Sequence, residues 1–245
     1  MTLTAIASRA GTASLDWLER SSIDLLHAAF DDHGPGRVAV VSSFGAESAV
    51  LLHLVSQVDR SVPILFVNTR MLFVETLAYQ RELADELGFT DIRIVTADRA
   101  ALRAPDPTLS LHASDPDACC ALRKTAPLNA ALDGFEAWVN GRKRHQTTGR
   151  NAMAPVETDA AGRTKLNPLL HWTADDIEAA FHRHDLPRHP LVGEGYTSLG
   201  CAPCTAKPAP GGDDRSGRWA GLAKTECGIH VENGRIVRAS AEAVL

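Results

Sequence analysis

Five cysteines, Cys119, Cys120, Cys201, Cys204 and Cys227, are the most reactive side chains of this sequence, and they are clustered rather than spread. An adjacent pair, a Cys-x-x-Cys and one remaining cysteine make a poor disulfide framework for a chain of 245 residues. In a reducing compartment such groups bind metal or carry redox chemistry. The pattern reads as four ligands and one separate thiol. Structural zinc usually takes two Cys-x-x-Cys knuckles. Neighbours on a helix point about 100° apart, because a turn takes 3.6 residues, so Cys119 and Cys120 do not both face one small ion without distortion. An iron–sulfur cluster presents separate iron corners to its thiolates. The set therefore favours a [4Fe–4S] cluster over zinc, with metal-free buried thiols as the remaining alternative.

A second candidate is the stretch SSFGAES, residues 42–48. It leaves an apolar run and opens a helical one. Free N–H groups at a helix start, with the hydroxyls of Ser42, Ser43 and Ser48 beside Phe44 and Gly45, suit an anion such as phosphate. The Gly-Lys-Ser/Thr ending of a Walker loop is missing. GPGRVA at 34–39 precedes its strand and so fails as a dinucleotide fingerprint. Alone, SSFGAES is equally an ordinary strand-to-helix turn.

These residues need a scaffold, and the periodicities supply one. Residues 15–30 carry Leu15, Leu18, Ile23, Leu26 and Phe30 at roughly helical spacing, which predicts an N-terminal helix or helix pair ended by Gly34-Pro35-Gly36. VAVVSSF at 38–44, PILFVNT at 63–69 and DIRIVTA at 91–97 read as buried parallel strands. Helices fall between them at 46–58 and 73–87, the second closed by Gly88. Alternating strands and helices with short links predict right-handed crossovers and an α/β, doubly wound, mostly parallel sheet. Asp115-Pro116-Asp117 marks a helix start with proline at its first position, placing Cys119 and Cys120 in the first turn. A fourth strand is expected at 135–140, followed by a basic loop at 141–150. Thr173 and Asp176 resemble a capping box that opens a helix running to about His184. Residues 205–218 (TAKPAPGGDDRSGR) read as a mobile linker before the last cysteine. The expected division is a nucleotide- and cluster-binding domain over 1–206 and a tail over 207–245.

Composition narrows the class. The net charge is −5, with 44% hydrophobic and 22% charged residues. A mildly acidic chain lacks the basic footprint of a general nucleic-acid binder. No apolar run approaches the ~18 residues needed to cross a bilayer, and the N-terminus lacks the apolar core of a secretory signal. The expectation is a cytoplasmic protein with no membrane and no nucleic-acid partner.

The combination of SSFGAES, CCALRK at 119–124, GRKRHQTTGR at 141–150, KLNPL at 165–169, GYTSLGCAPCT at 195–205, GRW at 217–219 and KTECGIH at 224–230 resembles the assimilatory adenylyl-sulfate (APS) reductases. These sit within the wider phosphoadenylyl-sulfate (PAPS) reductase family. The resemblance implies an adenine nucleotide α-hydrolase-like fold with a flexible C-terminal tail. It also implies a [4Fe–4S] cluster on Cys119, Cys120, Cys201 and Cys204. The implied activity is thioredoxin- or glutaredoxin-dependent reduction of APS to sulfite and AMP, and a homo-oligomer is possible by the same resemblance. Relatives without the cluster cysteines use the 3′-phosphorylated substrate, so their presence here points to APS.

Roles follow by the same resemblance. Cys227 would attack the sulfonate sulfur, expel AMP and hold an S-sulfocysteine, and His230 would help keep it a thiolate. Sulfonyl transfer needs a thiolate and cations for the anionic phosphate and sulfate. Lys124 would link cluster and substrate electrostatically, and Arg144, Arg150, Arg215 and Arg218 are candidate clamps. One loop departs from the family: Val67-Asn68-Thr69-Arg70-Met71 stands where Leu/Ile-Asp-Thr-Gly is usual. The loop contacts nucleotide in the family, so the change bears on the adenosine contacts. Thr147 replaces the usual serine but keeps a hydroxyl. Three readings compete: the reductase, preferring APS or its 3′-phosphorylated form; a PP-loop adenylating enzyme; and a binding module with structural metal. Only the reductase requires Cys227.

Overall fold

A computed structural model describes residues 14–147, 150–222, 224 and 226. Cys227, His230, the stretch 231–245 and the N-terminal residues 1–13 lie outside the described residues. Helix α1 (Leu15–His33) starts where the Ser14 side chain accepts from the Trp17 N–H and stops at Gly34. Strand β1 (Val38–Ser42), α2 (Ser48–Val58), β2 (Ile64–Val67), α3 (Val74–Leu87) and β3 (Ile92–Val95) follow in the predicted alternation. Gly88 closes α3 in the left-handed conformation, at φ 74°, which glycine reaches without a Cβ clash.

Four short helices lead to β4: α4 (Arg99–Arg103), α5 (Leu111–Ser114), α6 (Pro116–Cys120) and, after a π-helical turn at Ala121–Thr125, α7 (Ala126–Ala131). Asp115 caps α6, accepting from the N–H groups of Asp117 and Ala118, with Pro116 in the first turn. Strand β4 (Ala137–Val139) precedes the hairpin β5 (Val156–Thr158) and β6 (Thr164–Leu166). Helix α8 (Ala174–Arg183) carries the capping box between Thr173 and Asp176. Helix α9 (Pro190–Gly193) leads into the second cysteine segment.

The sheet runs β3-β2-β1-β4-β6-β5, parallel except where β5 pairs antiparallel with β6. Alternation along each strand divides the core. Val38, Val40, Ile64, Phe66 and Val139 pack with the apolar sides of α1, α2 and α8 on one face. Ala39, Leu65, Val67 and Trp138 pack with Leu128 of α7 and with Leu132 on the other. Strand order therefore reverses beside β1: β2 and β3 extend to one side, β4 and β6 to the other. A reversal with right-handed crossovers needs helices on opposite faces. It also opens a crevice beyond the carboxyl ends of β1 and β4, where ligands bind in open α/β sheets. The β5–β6 hairpin is an addition to the sequence expectation.

Candidate active site

A cleft of about 550 Å³ lies at that crevice. The turn after β1 supplies Ser42, Ser43, Gly45 and Ser48, and the loop after β4 supplies Asn140, Lys143, Gln146 and Arg150. Lys124, the segment Thr197–Gly200, Arg215, Arg218, Trp219 and Glu226 also line it. The SSFGAES turn is held by its own hydroxyls: the Phe44 N–H donates to Ser42 Oγ at 3.2 Å and the Gly45 N–H to Ser48 Oγ at 2.8 Å. Phe44 takes a positive φ of 47°. Its ring turns away from the cleft into the core, edge-on to Phe66 at 5.2 Å.

The basic loop splits its cations. Arg144 is not on the cleft wall; its Nη2 donates to the Met153 carbonyl at 2.9 Å. Lys143 is buried and paired with Glu47 at 2.9 Å. Burial pulls its ammonium below the usual lysine range, with Glu47 opposing. Arg150 engages Glu226 twice, Nε to Oε1 at 2.6 Å and Nη2 to Oε2 at 2.9 Å. Thr147 Oγ1 also donates to Glu226 at 3.0 Å, so the hydroxyl kept at that position is in use. Burial would raise the Glu226 carboxyl, but hydrogen bonds and charge from Arg150, with Arg215 beyond, hold it below the usual range.

The two cysteine groups lie within electrostatic reach of each other, and Cys204 feels Lys124 and Arg218 of the cleft wall. Cys119, Cys120 and Cys201 are buried and Cys204 half-buried, all as free thiols. Burial pushes Cys119 up to about 11, and Cys120, Cys201 and Cys204 lie near enough to reinforce the shift electrostatically. Cys204 is raised by burial and by Cys201, and lowered by the cations Lys124, Arg218 and Lys224. Thiols in such a place ionise when a metal or cluster takes them as ligands. Among the described residues no three His, Cys, Asp or Glu side chains are set around a single-ion position.

The segment at 68–71 ties the cysteine groups together. Thr69 Oγ1 lies 3.2 Å from Cys201 Sγ, and the Ala202 N–H donates to the Met71 carbonyl at 2.7 Å. From the other side, buried Arg123 reaches the Thr69 carbonyl at 3.3 Å and pairs with buried Asp106 at 2.6 Å. Asn68 Oδ1 accepts from the Arg70 N–H at 2.9 Å, and Arg70 sits at φ 62°, where the family's usual glycine has no strain.

Residues 205–218 close as a loop, with Thr205 bridged to Arg218 and the Ala206 N–H on the Gly217 carbonyl at 2.8 Å. Arg218 lines the cleft, yet its Nη1 donates to the Leu199 carbonyl at 2.9 Å and its guanidinium lies over the Trp219 ring. A Cβ on Gly200 would collide with that guanidinium. Lys224 pairs with Asp117, joining the C-terminal segment to the helix that carries Cys119 and Cys120. Asn140, Lys143 and Gln146, and the acids Glu47 and Glu226, are not among the site residues that the sequence names, although 141–150 reads as a basic loop. Position after β1 and β4 was the available signal for the first group; Glu226 had only its place beside Cys227.

Residues 37–207 match the family described as phosphoadenosine phosphosulfate reductase domain. An adenosine 5'-phosphosulfate reductase of Mesorhizobium japonicum is 46% identical over 217 residues, covering 89% of this chain and 82% of the relative. One of Chelativorans sp. is 50% identical over 196 residues, 80% of each chain. Among solved structures, a PAPS reductase from Candida auris in a phosphate complex aligns with TM-score 0.65 and 23% identity, over 81% of this chain and 99% of that one. The FMN adenylyltransferase of Candida glabrata aligns with TM-score 0.58 and 19% identity, over 83% and 70%. These two likenesses speak to the adenine nucleotide α-hydrolase-like fold alone. Among the described residues no helix is long and apolar enough to cross a membrane. With its sheet and both paired-cysteine groups inside the matched region, the chain belongs to the phosphoadenosine phosphosulfate reductase family, as an oxidoreductase acting on a sulfur group.

Proposed function

We propose that the chain reduces adenosine 5'-phosphosulfate to sulfite and AMP in the cytoplasm, with thioredoxin as electron source, during sulfate assimilation. The supporting observation is one cleft lined by the serine-rich turn after β1 and by Lys124 and Arg218, two cations that also act electrostatically on Cys204. The Cys227 thiolate attacks the sulfate sulfur. The bond from that sulfur to the phosphate oxygen breaks, and AMP leaves with the electron pair. Cys227 then carries the sulfonate. A thioredoxin thiolate attacks Cys227 Sγ, sulfite departs with the electrons of the S–S bond, and the second thioredoxin thiol resolves the mixed disulfide. The electrons come from two thiols.

The donor set fits a [4Fe–4S] cluster: four thiols gathered from two segments, with Lys124, Arg218 and Lys224 acting on Cys204. Bound there, the cluster would supply an electrostatic environment rather than electrons. Lys124 contributes positive charge toward the substrate anion, while Ser42, Ser43 and Ser48 offer hydroxyls toward the nucleotide phosphate. Arg215 lies on the same wall. His230 is proposed to keep Cys227 ionised.

The test is sulfite release with reduced thioredoxin, comparing APS with its 3′-phosphorylated form. APS is expected to give the higher kcat/KM. A preference for the 3′-phosphorylated compound would overturn the substrate assignment, and protein prepared without oxygen that holds no iron would overturn the cofactor.

A further inference from the structure

We propose that Glu157, on the β5–β6 hairpin, is a positioning residue for the loop that follows β4: through Arg142 it fixes which residues of that loop face the cleft. Alternate residues of the loop attach to the hairpin and the segment after it. The Asn140 N–H and Nδ2 both donate to the Leu166 carbonyl at 3.0 Å, and the Arg144 N–H donates to the Leu170 carbonyl at 3.0 Å. Between them, Arg142 Nη2 donates to Glu157 Oε2 at 2.8 Å, while its backbone N–H and Nε both donate to Asn140 Oδ1 at 3.2 Å. The intervening residues turn the other way. Gly141 faces Leu51 of α2, and Lys143 pairs with Glu47 of the SSFGAES turn. Side chains alternate in extended chain, so holding 140, 142 and 144 on one side aims 141 and 143 at α2 and the turn after β1.

The KLNPL stretch at 165–169 completes the socket. Asn167 is buried, and its Nδ2 donates to Glu157 Oε2 at 2.8 Å and to the Ala154 carbonyl at 2.7 Å. Lys165 Nζ lies 3.7 Å from the same carboxylate oxygen. One carboxylate thus gathers groups from the loop after β4, from β6 and from the residue after β6. The Arg142 side chain is 9% exposed and that of Glu157 14%, so solvent screening of the pair is weak. With a neutral residue at 157, the buried cations Arg142 and Lys165 lose the acid between them, and their repulsion pushes the loop off the hairpin. Arg142, Lys143 and Gln146 all line the cleft, so a displaced loop changes the wall that a nucleotide meets.

The effect on nucleotide binding rests on the proposed reductase reading, so hydrogen exchange reads the loop separately. On protein prepared without oxygen, AMP affinity is measured by calorimetry for the unmodified chain, Glu157→Gln, Arg142→Gln and the double variant. Hydrogen exchange of peptides spanning 139–146 is followed beside it. Each single variant is expected to bind AMP about tenfold more weakly, the scale of a lost charged hydrogen bond. The double variant should bind no more weakly than either, because the two residues act as one unit. Exchange over 139–146 should accelerate in all three, and Glu157→Asp, which keeps the charge, should recover part of the affinity. The double variant leaves neither half of the pair behind, so its affinity decides where a single variant does not fold. AMP affinity within about twofold of the unmodified chain overturns the proposal, as does unchanged exchange over 139–146. So do additive losses, which would make Arg142 and Glu157 independent contributors. If the unmodified chain binds no AMP but Glu157→Gln still speeds exchange, the reductase reading fails and the positioning of the loop stands.

Discussion

Arg123 and Lys124, neighbours on one π-helical turn, divide the work of that turn by pointing in different directions. Arg123 goes inward to Asp106 and the Thr69 carbonyl, and Lys124 goes to the cleft beside Cys204. Breaking a buried pair such as Asp106–Arg123 leaves an uncompensated charge, so the turn is held from below while its cation faces the ligand side. Burial would raise the Asp106 carboxyl, yet the Arg123 hydrogen bond and the N–H of Leu111 outweigh it and keep it below the usual range. Lys124→Ala removes the cation that this turn contributes to the cleft wall. Its kcat/KM with APS is expected to fall about a hundredfold, the scale of one lost electrostatic contact to a developing anion, with iron content per chain unchanged. Steady-state kinetics beside iron analysis checks this. Normal turnover would remove Lys124 from the mechanism, and iron loss would make it structural.

At the scale of elements, short helices set the cysteine segments in place. Helix α9 begins with His189, whose Nδ1 accepts from the Leu191 N–H at 3.2 Å while Nε2 lies 2.9 Å from Thr76 Oγ1 of α3. That arrangement assigns the proton to Nε2, the neutral tautomer. Burial lowers the His189 pKa to about 4, against about 6.5 in the unfolded chain. Between those values the unfolded state binds the extra proton. The His189 contribution to folding stability is therefore complete above about pH 6.5 and is lost as pH falls toward 4, by on the order of 3 kcal/mol. Denaturant melts across this window should show the decline, and His189→Gln should flatten it. An unaltered slope in the variant would assign the acid sensitivity elsewhere.

The longer elements were legible because their periodicities are strong: the three-strand, two-helix start, the Asp115-Pro116 helix opening and the Thr173–Asp176 box all stand where residue patterns put them. The β5–β6 hairpin was not, since its strands are three residues long and show no clean alternation. The π-helical turn was also hidden, because ALRKT carries no pattern that distinguishes a wide turn from an ordinary one.

For the molecule as a whole, the strand reversal beside β1 explains why turns far apart in sequence share one cleft. The ends of β1 and β4 bring SSFGAES to the basic loop, and Thr69 bridges Cys201 and Arg123. Residue types foretold the cysteine groups and the serine turn. They did not foretell that Arg144 would be spent on a backbone carbonyl, Phe44 on the core, or Arg150 on Glu226, because a side chain's partner depends on tertiary packing rather than on its type.

The central claim is that sulfur moves from APS to one thiol, and mass spectrometry of peptides after a single anaerobic turnover without thioredoxin reads it directly. The account predicts one sulfonate on Cys227, none in Cys227→Ser, and its release as sulfite when reduced thioredoxin is added. AMP formed with position 227 unmodified, or a sulfonate carried by another residue, would contradict it.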